Sequence, residues 1–239
     1  MIYPSITNIS GHYEDKIIEA KKLNIKEICL FLTTYNLEKR KRLYKLLKKA
    51  SFKRYPLIHL RHDMELWELD FLANELPSVL FNIHPLTEYS FPNYYLKYKE
   101  RIYIENAFIH PPHHIEKRGF SKEYAGLCLD FTHFEDDRLV SPKENPCFIS
   151  LFKQFKIGCG HIGPIMDKPF YNRQARIFSY ESHLFTKLSQ FNYLKNLPKK
   201  YFPEIIALEV ENSLEEQLEA IRYLHQIIPF TFEHKNYQK

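Results

Sequence analysis

The sequence predicts a parallel (β/α)8 barrel, on three observations. First, short apolar runs along the chain end on residues that bind divalent metals. His59 closes Leu57-Ile58-His59, His84 closes the run from Val79, Glu105 closes Ile102-Tyr103-Ile104-Glu105, and Asp130 closes Leu127-Cys128-Leu129-Asp130, with His133 just beyond. His161 follows Lys156-Ile157-Gly158-Cys159-Gly160, and Glu209 closes Ile205-Ile206-Ala207-Leu208-Glu209. A barrel of this class gathers its active site from the C-terminal ends of its strands. Second, strand-like and helix-like patterns alternate along the chain, as a parallel barrel requires. Third, no glycine-rich phosphate loop follows the first strand, which argues against an open doubly wound sheet.

Each element has a local reason. Ile2 to Asn8 is a first strand. Ile17, Ile18, Ala20 and Leu23 share one side of a helix over Tyr13 to Leu23, and Ile25 to Thr33 is a second strand. Asn36 is placed to cap a basic helix that carries Leu43, Leu46, Leu47 and Ala50 at helical spacing. A third strand ends at His59, a helix over Glu65 to Leu76 stops before Pro77, and a fourth strand runs from Val79 to His84. Asn93 to Lys99 is a short helix; strands five and six end at Glu105 and Asp130. Pro146 to Phe155 is helical, strand seven leads to His161, Ser182 to Leu197 holds a helix, and strand eight ends at Glu209. Ser213 and Glu216 form a capping box before the stripe Leu214, Leu218, Ile221, Leu224 and Ile228. Nothing divides the chain, so residues 1–239 are expected to form one barrel domain.

Strand parity orients the site. Tyr103 shares a face with Glu105, Cys128 with Asp130, and Ala207 with Glu209. If the carboxylates point into the barrel, the intervening Ile and Leu residues face the helices. Three of the six glycines, Gly158, Gly160 and Gly163, surround His161, which suits either a ligand pocket or a tight turn.

Composition bounds the class. At 239 residues, with 44% hydrophobic and 15% aromatic content, the chain can bury a sizeable core and is not a disordered segment. The N-terminus has no basic start and no long apolar run, so no signal peptide is expected, and no stretch is apolar enough to span a membrane. Cys29, Cys128, Cys147 and Cys159 lack C-x-x-C spacing and read as buried thiols in a reducing cytoplasm. Much of the net charge of +5 lies in Lys39-Arg40-Lys41-Arg42, Lys45, Lys48 and Lys49, the solvated face of the basic helix, with an anion-binding patch as the alternative.

At the strand-end motifs the chain resembles the xylose isomerase-like superfamily, which includes sugar and sugar-phosphate isomerases, epimerases and the endonuclease IV type of abasic-site endonuclease. Glu105-Asn106 is similar to the Glu-Asn that ends its fifth strand, Asp130-Phe131-Thr132-His133 to its Asp-x-x-His, Gly160-His161 to the histidine after strand seven, and Leu208-Glu209 to its last glutamate. The resemblance implies that Glu105, Asp130, His161 and Glu209 hold one divalent metal and that His133 touches substrate. In the epimerases, the glutamates that Glu105 and Glu209 resemble move a proton on opposite faces of the sugar. The endonuclease branch holds three zinc ions and uses further ligands. His59, His84-Pro85 and Glu181-Ser182-His183 resemble those, with glutamate where that branch has aspartate in its Asp-x-His. Short spacings between motifs, and Leu184 to Lys187 where that branch has glycines, point away from a duplex DNA substrate.

A mixed imidazole and carboxylate site suits Zn²⁺, Mn²⁺ or Fe²⁺ better than an all-oxygen Mg²⁺ or Ca²⁺ site. The catalytic candidates are Glu105, Glu209 and His133. The metal candidates are Glu105, Asp130, His161 and Glu209. His59, His84, Glu181, His183 and Glu211 are additional metal or substrate ligands, Glu211 being an alternative to Glu209 as the last one. His110, His113 and His114 fall in a Pro-containing loop at the substrate's edge or in solvent. The expected activity is isomerisation or epimerisation of a small sugar, sugar phosphate or polyol through an enediolate. The alternatives are zinc-dependent abasic-site cleavage and an inactive barrel that binds a ligand. The expected partner is a carbohydrate-like small molecule ahead of nucleic acid, with no membrane.

Overall fold

The computed structural model describes residues 1–7, 13–85, 91–107, 123–140, 142, 150, 152–172 and 177–228. The expected first strand is split at Pro4 into β1 (Ile2–Tyr3) and β2 (Ser5–Ile6). β1 pairs with the last barrel strand, Ile2 opposite Ile206, while β2 pairs with the next strand in sequence, Ser5 opposite Cys29. A proline has no N–H to give to a ladder, and the chain changes partner where that loss matters least. Its carbonyl still accepts from Cys29 N at 2.9 Å.

The remaining barrel strands are β3 (Cys29–Phe31), β4 (Tyr55–His59), β5 (Ser78–Ile83), β6 (Ile102–Glu105), β7 (Gly126–Asp130), β8 (Ile157–Ile162) and β11 (Ile205–Leu208). They run β1-β11-β8-β7-β6-β5-β4-β3-β2, every pair parallel, so the two halves of the first strand close an eight-position ring. α1 (Tyr13–Lys22), α2 (Leu37–Ala50), α3 (Leu66–Asp70) and α4 (Phe131–Val140) lie between strands, and α5 (Leu214–Ile227) follows β11. Asn36 caps α2 by accepting from Lys39 N at 3.0 Å, and Ser213 and Glu216 form the capping box of α5.

Parity holds. Ile102, Ile104, Leu129, Ile206 and Leu208 are buried beneath the helices, while Tyr3, Cys29, Phe31, Leu57, Tyr103, Cys128, Cys159 and Ala207 pack together inside the ring. Each fully buried Leu, Ile or Phe contributes roughly 1.5–3 kcal/mol, so both faces of the strands drive closure. The three cysteines of this interior are free thiols; Cys147 lies outside the described residues.

Several elements differ from the sequence expectation. The helix after β7 begins at once, at Phe131, not near Pro146; most of the expected Pro146–Phe155 helix lies outside the described residues. Its apolar stripe is obscured because Glu135 and Asp136 are buried beside Phe131 and Phe134. The helix expected over Ser182 to Leu197 is a 3-10 helix, Leu188–Asn196, and an antiparallel hairpin of β9 (Ile165–Asn172) and β10 (Ile177–Glu181) precedes it. Asp167, Lys168 and Pro169 mask the strand period there. The basic helix keeps a solvated face, but Arg40 is 1% exposed and holds Glu68 through two hydrogen bonds, Nε–Oε1 at 2.7 Å and Nη2–Oε2 at 2.9 Å. The expected stripe of α5 is interrupted by buried Gln217, which donates to the carbonyls of Ser5, Val210 and Asn212. Two of the glycines near His161 have a packing role. A Cβ on Gly158 would lie 2.1 Å from the Tyr103 ring, and one on Gly160 2.7 Å from the Leu129 carbonyl, so they clear space for packing. No described helix is long and apolar enough to cross a membrane.

Candidate metal centre

The inward face of the barrel changes chemistry over one strand repeat. On β6, Tyr103 is followed two residues later by Glu105; on β7, Cys128 by Asp130; on β8, Cys159 by His161. The upper members meet. His161 Nδ1 lies 3.3 Å from Glu209 Oε2, 3.6 Å from Glu105 Oε2 and 3.8 Å from Asp130 Oδ2. His59 Nε2 is 2.8 Å from Glu105 Oε2, and His84 Nε2 is 3.4 Å from Glu105 Oε1. His133, in the first turn of α4, reaches three carboxylates: its Nε2 is 3.6 Å from Asp130 Oδ2 and 3.7 Å from Glu105 Oε1, and its Nδ1 is 2.8 Å from Glu181 Oε2. His183 Nε2 lies 3.6 Å from the other oxygen of Glu181.

These contacts sort into overlapping groups whose ligand atoms lie within 4.8 Å of one another: His59-His84-Glu105, Glu105-Asp130-His133, Asp130-His161-Glu209 and Glu105-Cys128-His161. Glu105 and Asp130 are shared. Glu181 and His183 extend the cluster along the rim through His133. Glu211 joins no group among the described residues; its backbone N–H donates to the His183 carbonyl at 2.6 Å, and so it braces the loop.

Backbone hydrogen bonds position Asp130 and the loops beside it. Asp130 works twice: Oδ1 accepts from Thr132 N at 2.7 Å and His133 N at 2.9 Å, capping α4, which leaves Oδ2 for the centre. Asn106 clamps the same residue, donating to its carbonyl at 2.9 Å and accepting from its N–H. Thr132 Oγ1 accepts from Gly163 N at 2.6 Å, tying the loop after β8 to α4. Sequence reasoning missed Asn82, which donates to Glu105 Oε2 at 2.8 Å. Its signal was parity, since it stands two residues before His84 on the same strand face.

Burial is graded. Glu105, His59 and His161 are at most 1% exposed, while His84 and His183 side chains reach 34%, so the cluster opens at its rim. Burial is the largest single influence on Glu105 and pushes its pKa up, but the charges of His84, His59 and His161 hold it well below the usual carboxylate range. Burial opposes charge on His161 and His133 too, yet the surrounding carboxylates raise both well above the usual imidazole value. Burial dominates for His59 and lowers it.

A cation fits this cluster. His161 Nδ1 and His59 Nε2 are buried, face carboxylate oxygens and meet no hydrogen-bond geometry. Buried nitrogens without partners are costly, and a metal ion supplies the missing partner. Imidazole nitrogen with carboxylate oxygen is the donor set of Zn²⁺, Mn²⁺ and Fe²⁺.

No family model matches the sequence, and no curated protein matches it. Among solved structures, it is similar to a xylose isomerase domain protein from Planctomyces limnophilus at 13% identity and a TM-score of 0.53, over 95% of this chain and 97% of that one. The chain has a (β/α)8 barrel fold, similar to that of this xylose isomerase domain protein.

Proposed function

We propose that this protein is a divalent-metal enzyme that holds more than one ion and hydrolyses a phosphate ester. The observation that carries the reading is the sharing of Glu105 and Asp130 between ligand groups. One ion needs about four ligands, and this cluster offers four carboxylates and five imidazoles. The reading reorders the sequence expectation, in which isomerisation came first.

His59, His84 and Glu105 would hold one ion and Asp130, His161 and Glu209 a second, with Glu105, Asp130 and His133 as the group that joins them. Adjacent divalent ions stabilise both the attacking and leaving oxygens of a phosphoryl displacement and acidify bound water. The chain's own residues supply the rest. Glu105 spans the first two groups and fixes their separation, held by Asn82. His84 and His183, a third exposed, face the approach side. Glu181 Oε2, against His133 Nδ1, keeps that imidazole oriented. Phe31, with its ring 4.9 Å from that of His161, closes the inner side to water.

A second reading rests on a different observation. Glu105 and Glu209 lie on strands three ring positions apart, with His161 between them. A planar enediolate held across that gap would meet a carboxylate on each face, as epimerisation of a small sugar requires.

Metal analysis of protein purified without chelator separates the two. Phosphoester hydrolysis predicts two or three ions per chain and turnover of a generic phosphodiester such as bis(p-nitrophenyl) phosphate. A single ion per chain, with solvent deuterium entering a sugar at the carbon beside its carbonyl, would establish isomerisation instead.

A further inference from the structure

Below the cluster, the Glu105-Cys128-His161 group contains a contact that the His59-His84-Glu105 and Asp130-His161-Glu209 groups do not need for their own ligand count. His161 presents Nδ1 to the carboxylates, so its Nε2 points down the barrel. There it meets Cys128 Sγ at 3.5 Å. Cys128 is fully buried, one strand repeat below Asp130, and is the register partner of Cys159 on β8. The ring is held on another side by the edge of Phe31, at an interplanar angle of 68°. His161 is itself 0% exposed, so bulk solvent does not reach Nε2.

We propose that the Cys128 thiol is the positioning residue for His161. It accepts from Nε2–H, and so keeps the proton on that nitrogen and presents the Nδ1 lone pair to the metal. A histidine ligand binds through one nitrogen, and the group on its other nitrogen sets both tautomer and ring orientation. Surface sites use a carboxylate or carbonyl there. In a dry barrel interior a carboxylate would be an unpaired buried charge, whereas a thiol is a small, weak acceptor that packs like an apolar group. Strand pairing places this thiol: Asp130 pairs with His161 and Cys128 with Cys159, so the residue below Asp130 sits diagonally under the ring. This inference rests on the metal centre proposed above but not on which reaction it catalyses.

The test compares Cys128→Ala, Cys128→Ser and Cys159→Ala with wild type by Zn²⁺ competition against a chromogenic chelator. Replacing the partner of a ligand histidine weakens metal binding roughly 10–100-fold. Cys128→Ala should show that loss in the ion held by His161, with metal-free folding retained. Cys128→Ser keeps an acceptor and should stay close to wild type, as should Cys159→Ala, which removes a thiol from the same layer without touching the ring nitrogen. Should Cys128→Ala not fold, Cys128→Ser set against Cys128→Val decides the matter by the same measurement. Unchanged affinity in Cys128→Ala, or equal losses in the serine and alanine variants, would overturn the proposal. So would a thiolate-to-cobalt charge-transfer band in Co²⁺-loaded wild type that disappears in Cys128→Ser, because Cys128 would then be a ligand itself. Metal bound by wild type without phosphoester turnover overturns only the functional reading; a wild type that binds no metal overturns both.

Discussion

The two inward layers of the barrel share strands and, Phe31 apart, differ in chemistry. The lower layer, Cys29, Leu57, Tyr103, Cys128, Cys159 and Ala207, is apolar or thiol and buried. Two residues further along the same strands stand Phe31, His59, Glu105, Asp130 and His161, with Glu209 beyond β11. The lower layer can relax only against other side chains, so its cost falls on stability. The upper layer has traded packing for charge, and two of its nitrogens, His59 Nε2 and His161 Nδ1, meet no hydrogen-bond geometry. Stability and function are therefore separable by a single strand repeat, and substitutions in each layer should fail in different ways.

The largest effect belongs to the upper layer. Asp130→Asn keeps the oxygen that caps α4, since Asn and Asp cap about equally well, and removes the charge that faces His161 and His133. Metal content measured by elemental analysis should fall. Turnover should drop on the order of 100-fold or more, beyond the range for losing a ligand's hydrogen-bond partner. The metal-free variant should still fold with α4 intact, since the cap is equivalent, and should lose only the stability that the carboxylate lends through His161 and His133. Full metal occupancy in this variant would remove Asp130 from the centre.

In the lower layer, Leu57→Ala should do the reverse. Leu57 is 1% exposed and packs inside the ring below His59. The cavity should cost about 2–5 kcal/mol in denaturant unfolding, while the folded variant keeps its metal stoichiometry. Loss of metal without loss of stability would mean that the layers are not separable.

The sequence made the upper layer legible because its residues break an apolar run at the strand end, where charge is conspicuous. Glu105, Asp130, His161 and Glu209 were identifiable that way, and parity then oriented Cys128 and Tyr103. Asn82 was hidden inside its run, since a neutral amide at a strand centre carries no charge signal. The hairpin β9–β10 was unreadable for another reason. Phe170, Tyr171 and Phe178 are exposed, and Ser179 is buried only because Asp136 on α4 accepts its hydroxyl at 3.1 Å. A strand that buries polar residues and exposes aromatic ones inverts the pattern on which sequence reading depends. The first strand was read straight through Pro4, because the neighbour each half chooses is set by register across residues distant in the chain.

The smallest effect is on pH dependence, and it sharpens the contrast between the layers because only the upper one titrates near neutrality. In chelator-treated protein, carboxylates raise His161, His133 and His183 above the usual imidazole value of about 6.5. A raised pKa stabilises the fold fully below the unfolded value and loses that stabilisation as pH climbs through the folded one. Glu105, Asp130 and Glu209 are depressed, so they stabilise above their unfolded values, near 4, and lose that as pH falls. His59 is lowered and opposes the other imidazoles, but three outweigh one. Metal-free protein should therefore be most stable between about pH 4.5 and 6.5, and should weaken on the alkaline side. Metal binding should run the other way, because the ion needs the imidazole nitrogens deprotonated. The rise in melting temperature on adding Zn²⁺ should grow as pH increases through neutrality. Leu57→Ala should shift both curves down without changing their shape, whereas Asp130→Asn should flatten the alkaline loss, since His161 and His133 no longer have that carboxylate to raise them. A metal-free stability profile that climbs steadily from pH 6 to pH 8 would show that these histidines are not held charged by the cluster.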